Sequence, residues 1–114
     1  MRIEHDALGE RQLDETLYYG IQTQRAKENF DISGKTIADI AGFVESIIII
    51  KKAAAIANNK ANVLSDELCS AICQAADEMS EKLDPANFVI DIYHGGGGTS
   101  ANMNVNEVLA NRAN

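Results

Sequence analysis

Apolar and polar positions divide the chain into a short N-terminal arm and a series of helical stretches. In residues 1–16, Ile3, His5 and Ala7 alternate weakly with Glu4 and Asp6, and no helical period is present. This pattern predicts a short strand or hairpin arm with Gly9 in the turn. From Thr16 or Leu17 to about Phe30, Leu17, Ile21, Ala26 and Phe30 recur at helical spacing, with Arg25, Lys27 and Glu28 on the outer face. Asp31 to Lys35, containing Ser33-Gly34, reads as a turn. A long helix follows from about Ile40 to Asn59. Phe43, Ile47, Ile50, Ala54 and Ala57 form its main stripe, flanked by Val44, Ile48, Lys51 and Ala55. A helix apolar over most of its circumference needs neighbours on several sides. A chain of 114 residues cannot easily supply them all.

Ser65-Asp66-Glu67-Leu68 opens the next helix, with Ser65 as cap and the two acids at the positive end of the dipole. Leu68, Ile72, Ala75, Ala76, Met79 and Leu83 make its amphipathic stripe, and Asp84-Pro85 ends it. Asn87 to Tyr93 is expected to be extended, Phe88, Ile90 and Ile92 alternating with Val89, Asp91 and Tyr93. Gly95-Gly96-Gly97-Gly98 comes next. Thr99 to Asn114 then reads as a last helix with Met103, Val105, Val108 and Leu109 as its apolar positions. No stop signal follows it, which suggests a larger unit. The expected fold is mainly α: a small helical domain with a short N-terminal β arm or hairpin.

Composition agrees with a helical domain and narrows the partners. The chain has 46% hydrophobic residues, one proline, no tryptophan and a formal charge of −7. That charge argues against nucleic acid or an anionic membrane as the main partner. The N-terminus has no apolar signal region, and no apolar run approaches the roughly 20 residues of a membrane span. Cys69 and Cys73 lie four apart with no further Cys or His near, so no metal site is expected there; they read as small apolar residues on one helix face. Unpaired cysteines and the missing signal point to the cytoplasm.

The segment His94 to Glu107 is where chemistry is expected. Four consecutive glycines admit positive φ and close approach of a ligand to the backbone. They lead into a helix start, whose free N–H groups and partial positive charge favour an anion. Thr99, Ser100, Asn102 and Asn104 add hydroxyl and amide groups, enough to hold a carboxylate or phosphate without lysine. The plainer alternative is a glycine loop before a capped helix, with Asn104 and Glu107 at capping-box spacing. No Gly-Lys-Ser/Thr follows, and no strand–helix–strand unit surrounds the glycines, so nucleotide-binding loops do not fit. His94 could serve as a base or anion contact, or as a structural residue. Arg25 could hold a carboxylate or stand in solvent. Asp66/Glu67 and Asp77/Glu78 are adjacent pairs that do not converge, and Lys51-Lys52 read as the polar edge of the long helix.

Two blocks together resemble the N-terminal region of the aspartase/fumarase superfamily: Tyr18-Tyr19-Gly20-Ile21-Gln22-Thr23-Gln24-Arg25-Ala26-Lys27-Glu28-Asn29-Phe30, and Gly97 through Ala113 with Gly-Thr-Ser-Ala-Asn-Met-Asn-Val-Asn-Glu at its centre. Lys51-Lys52-Ala53-Ala54-Ala55 between them is similar too. Glu4-His5-Asp6 with Gly9, Tyr18-Tyr19-Gly20 and Gly97-Gly98-Thr99-Ser100 look more like the ammonia-lyase branch than the class II fumarase branch. The arm departs from the family in having no proline before Tyr18.

The resemblance implies that residues 1–114 are an N-terminal domain whose central helical and C-terminal domains are absent. It implies reversible elimination of ammonia, or in the fumarase branch water, from a four-carbon dicarboxylate to give fumarate. Thr99, Ser100 and Asn102 would contact substrate carboxylates, supported by Gly97 and Gly98. The family's base is a serine in a distant loop, so no catalytic residue is expected in this chain and the chain alone would be inactive. A homotetramer with sites shared among three subunits, and no cofactor, is also implied. A non-catalytic helical interaction module is the alternative from another class.

Overall fold

The computed structural model describes residues 1–114 and shows two strands followed by four α-helices. β1 (Arg2–Asp6) and β2 (Gly9–Leu13) form an antiparallel hairpin, with Arg2 opposite Leu13 and Asp6 opposite Gly9. The turn is Ala7-Leu8, closed by the Leu8 N–H donating to Asp6 Oδ1 at 2.9 Å; Gly9 opens β2 instead. The helices are α1 (Ile21–Asn29), α2 (Phe43–Lys60), α3 (Asp66–Glu81) and α4 (Thr99–Ala113). The mainly helical class with a β arm agrees with expectation.

Three boundaries or faces differ from the sequence reading, each for a physical reason. α1 begins at Ile21 rather than near Leu17. The backbone before it is claimed by distant side chains: Arg2 donates to the carbonyls of Asp14, Leu17 and Tyr19, and Asn87 Oδ1 accepts from the Tyr18 N–H at 2.8 Å. α2 begins at Phe43 because Gly42 adopts φ +80°, and Glu45 folds back to accept the Gly42 N–H at 3.0 Å. Its inner face is also rotated. Val44, Ile48 and Ala55 are buried, whereas Ile50, Ala54 and Ala57 of the expected main stripe face outward.

The core lies where α2, α3 and α4 meet the segment 88–90. Ile37, Val44, Ile48, Phe88, Ile90, Val105 and Val108 are all essentially inaccessible. Residues 88–92 are extended but form no sheet; a single bridge pairs Thr36 with Asp91, and the Ile37 N–H donates to the Ile90 carbonyl at 2.9 Å. On α3 the stripe is only partly covered. Ala75 and Ala76 are buried, Ile72, Met79 and Leu83 are half-buried, and Leu68 is exposed. Cys69 and Cys73 are half-buried thiols on the same helix. No helix is long and apolar enough to cross a membrane.

Candidate functional site

The glycine run adopts a conformation that no other residue type tolerates without cost. Gly95, Gly96, Gly97 and Gly98 have φ of +57°, +65°, +69° and +91°, all in the left-handed region. No protein atom lies within 4 Å of where a Cβ would stand on any of them. Backbone conformation therefore requires glycine here, and the space beside the run is open. Gly98 is the N-cap of α4, and no side chain caps that helix. The first turn of α4 thus presents backbone N–H groups outward with no substitute acceptor from the chain.

Thr99 and Asn102 are exposed on this turn and Ser100 is half-buried. The Thr99 hydroxyl donates to the Gly96 carbonyl at 3.2 Å, tying the helix to the glycine run; a ligand oxygen would compete with that carbonyl for the proton. Lys51 of α2 donates through Nζ to Asn102 Oδ1. An ammonium therefore joins the hydroxyls, amide and helix start, although the sequence places Lys51 on the polar edge of α2. Its neighbour Lys52 stays on the polar edge of α2, pairing with Asp77 of α3 at 2.6 Å. Hydroxyls, an amide, a helix N-terminus and one ammonium on an open face suit a small anion with several oxygens. The larger concavities lie elsewhere; one is an apolar groove of about 350 Å³ between α2, α3 and α4, with Lys51 at its edge.

Other polar candidates serve the scaffold of this site. Asp91 is buried, and its carboxylate accepts from the N–H groups of Ile32, Ser33 and Tyr93 and from the Ser33 hydroxyl, at 2.8–3.0 Å. The Tyr93 N–H above all, with the Ser33 and Ile32 donors, holds its pKa down at about 2. His94 Nδ1 contacts the Asp91 carbonyl at 2.8 Å. These bonds fix the chain just before the glycines. Arg25 does hold a carboxylate, but it is Asp6 of the hairpin, in a two-pronged pair at 2.8 Å. That hydrogen bond holds the Asp6 carboxyl below the usual range.

Asn104 and Glu107 do not make a capping box, because the helix begins at Thr99 and both residues point away from its start. Asn104 is fully buried and donates to the Asn87 carbonyl at 2.8 Å. Glu107 accepts from the Gln22 N–H at 3.0 Å, the Thr23 N–H at 2.8 Å and the Thr23 hydroxyl. α4 therefore has two working ends: an open first turn, and a polar side that grips residues 18–23.

The sequence of residues 9–114 matches the family model described as "Lyase". The chain belongs to this lyase family, the aspartase/fumarase superfamily. It is 44% identical over 113 residues to aspartate ammonia-lyase of Helicobacter pylori strain J99, covering 99% of this chain and 24% of that protein. Its fold is similar to the crystal structure of fumarate lyase:delta crystallin from Brucella melitensis in native form, with a TM-score of 0.94 and 46% identity, covering 99% of this chain and 26% of the other. It is also similar to recombinant class II fumarase from Schistosoma mansoni, with a TM-score of 0.90 and 37% identity, covering 98% and 23%. This lyase-family chain spans about a quarter of the length of the relatives it matches.

Proposed function

We propose that residues 1–114 form the N-terminal domain of an aspartate ammonia-lyase, which reversibly eliminates ammonia from L-aspartate to give fumarate. One observation carries this reading: an uncapped helix start bearing Thr99, Ser100 and Asn102, with the Lys51 ammonium against the Asn102 amide. In this reaction a base removes the proton beside one carboxylate, and negative charge accumulates on that carboxylate as an aci-carboxylate dianion. Donors fixed in advance around that group contribute more in the transition state than in the ground state. Thr99, Ser100 and Asn102 supply hydroxyl and amide donors, the first turn of α4 supplies backbone N–H groups, and the glycines leave room for the ligand. Similarity to an aspartate ammonia-lyase along 99% of the chain supports the choice of amino acid substrate.

The base belongs to another part of the parent enzyme, a cytoplasmic homotetramer that uses no cofactor. The chain alone accordingly produces no fumarate from aspartate or malate. In the full-length enzyme, Thr99→Ala lowers kcat/KM by about 10²-fold or more, as for removal of one donor to a developing oxyanion. An unchanged value removes Thr99 from the site. The likeness to a class II fumarase favours a second reading, with water in place of ammonia. Rates of ammonia and water addition to fumarate by the full-length enzyme separate the two.

A further inference from the structure

We infer that Glu107 is a positioning residue, setting where the first turn of α4 stands by locking α4 to the start of α1. This rests on the reading of that turn as a carboxylate site.

The glycine run holds α4 only weakly from upstream. Its four residues carry no side chains, and a single hydroxyl bond, from Thr99 to the Gly96 carbonyl, ties it to the helix. The position of Thr99 must therefore be set from further along the helix. Apolar packing of Val105 and Val108 supplies attraction there, but such contacts are non-directional and permit sliding. Directional bonds are needed to fix the axial position, and Glu107 makes the densest set. Its Oε1 accepts the N–H and hydroxyl of Thr23, and its Oε2 accepts the Gln22 N–H. Thr23 is wholly buried, which shields its side of the pairing, while Glu107 is half-buried.

The arrangement completes α1 as well. Gly20 is its N-cap and has no side chain to offer. Glu4 accepts the Ile21 N–H at 2.9 Å, and Glu107 takes the next two, so carboxylates from β1 and α4 satisfy the exposed donors of the first turn. Both carboxylates crowd Gly20. A Cβ there would lie 2.4 Å from Glu107 Oε2 and 2.9 Å from Glu4 Oε1. Glycine at position 20 thus admits the bond that holds α4. Eight residues separate Thr99 from Glu107, about 12 Å along a helix that moves as a rigid rod. A slide at Glu107 reaches Thr99 undiminished.

Amide hydrogen exchange on the 114-residue chain tests this. The amides of Met103 to Asn106 bond back to the first turn and report its order. Glu107→Gln keeps the shape but turns an amide donor toward backbone donors. It should raise exchange at Met103 to Asn106 tenfold or more, with α2 and α3 amides within about twofold of the parent. Thr23→Val should act in the same direction, Thr23→Ser should restore parent exchange, and the Gln/Val double variant should add little beyond Glu107→Gln. Unchanged exchange at Met103 to Asn106 overturns the proposal, as does an equal rise throughout α2, α3 and α4, which would make Glu107 a general stabiliser. Titration of the full-length enzyme with fumarate, parent against Thr99→Ala, is the separate arm. Equal affinity of the two counts against the carboxylate reading, while the exchange result still decides the positioning role.

Discussion

At the scale of single residues, the open first turn of α4 is prepared by residues in the chain just before it. Gly97 shows the conformational side of this. At φ +69° it sits where an L residue is strained by about 1 kcal/mol, and nothing nearby would compensate an added methyl. Gly97→Ala should lower unfolding free energy by about 1 kcal/mol in a urea titration; no loss would mean that the run can relax to negative φ. Asp91 shows the electrostatic side. Its folded pKa, about 2, lies below the ordinary 3.8, so it contributes stability that is fully present above pH 4 and lost as pH falls toward 2. Asp91→Asn should melt below the parent at pH 7, because an amide meets donors where the carboxylate accepted four bonds. The two melting curves should converge between pH 4 and pH 2. Curves that stay parallel across that range would show that the carboxylate charge adds nothing.

At the scale of elements, local chemistry was readable and long-range claims on the backbone were not. The start of α3 follows from Ser65, whose hydroxyl accepts the Leu68 N–H at 3.2 Å, with Asp66 and Glu67 in the first turn. Ser65→Ala should cost about 1 kcal/mol; a thermal scan with no shift would show that cap to be dispensable. The Thr99 start and the glycines before it were equally legible, since positive φ and a helix entry leave a local mark. The start of α1 was not, because the Arg2, Asn87 and Asn111 side chains that occupy residues 14–19 carry no signal in that stretch. In α2 an apolar surface nearly all round gives no phase, so the inward face could not be chosen from periodicity. Lys51 and Glu107 were missed as parts of the site for a related reason. Their partners lie 51 and 84 residues away. One mark of the second was present: Asn104, Glu107 and Asn111 recur on one side of α4 among Val105 and Val108, the spacing of a polar helix face set beside the core.

At the scale of the whole molecule, α2 sets burial against charge. Ile49 and Ile50 are each 63% exposed and Ile56 is 38% exposed, on a face that also carries Ala53 and Ala57. A contiguous apolar face of this kind is not expected on a domain that functions alone, which weighs against a solitary interaction module in monomeric form. Opposing self-association is the charge of −7, which makes two copies repel. That repulsion acts over a distance that salt shortens, to about 8 Å at 0.15 M and about 3 Å at 1 M. Burial of apolar surface is not weakened by the same salt, and sulfate strengthens it. The 114-residue chain should therefore associate with itself, and more strongly at 1 M salt than at low salt. Sedimentation at several concentrations would read this directly, and a dye that fluoresces on apolar surfaces should bind the monomer. Ile49→Lys with Ile50→Glu leaves the buried Val44, Ile48 and Ala55 untouched and keeps the net charge. The pair should abolish association while thermal unfolding stays cooperative. A parent chain that remains monomeric at 1 M salt, where the repulsion is screened, would show that this face does not drive association, and would return the solitary module to consideration.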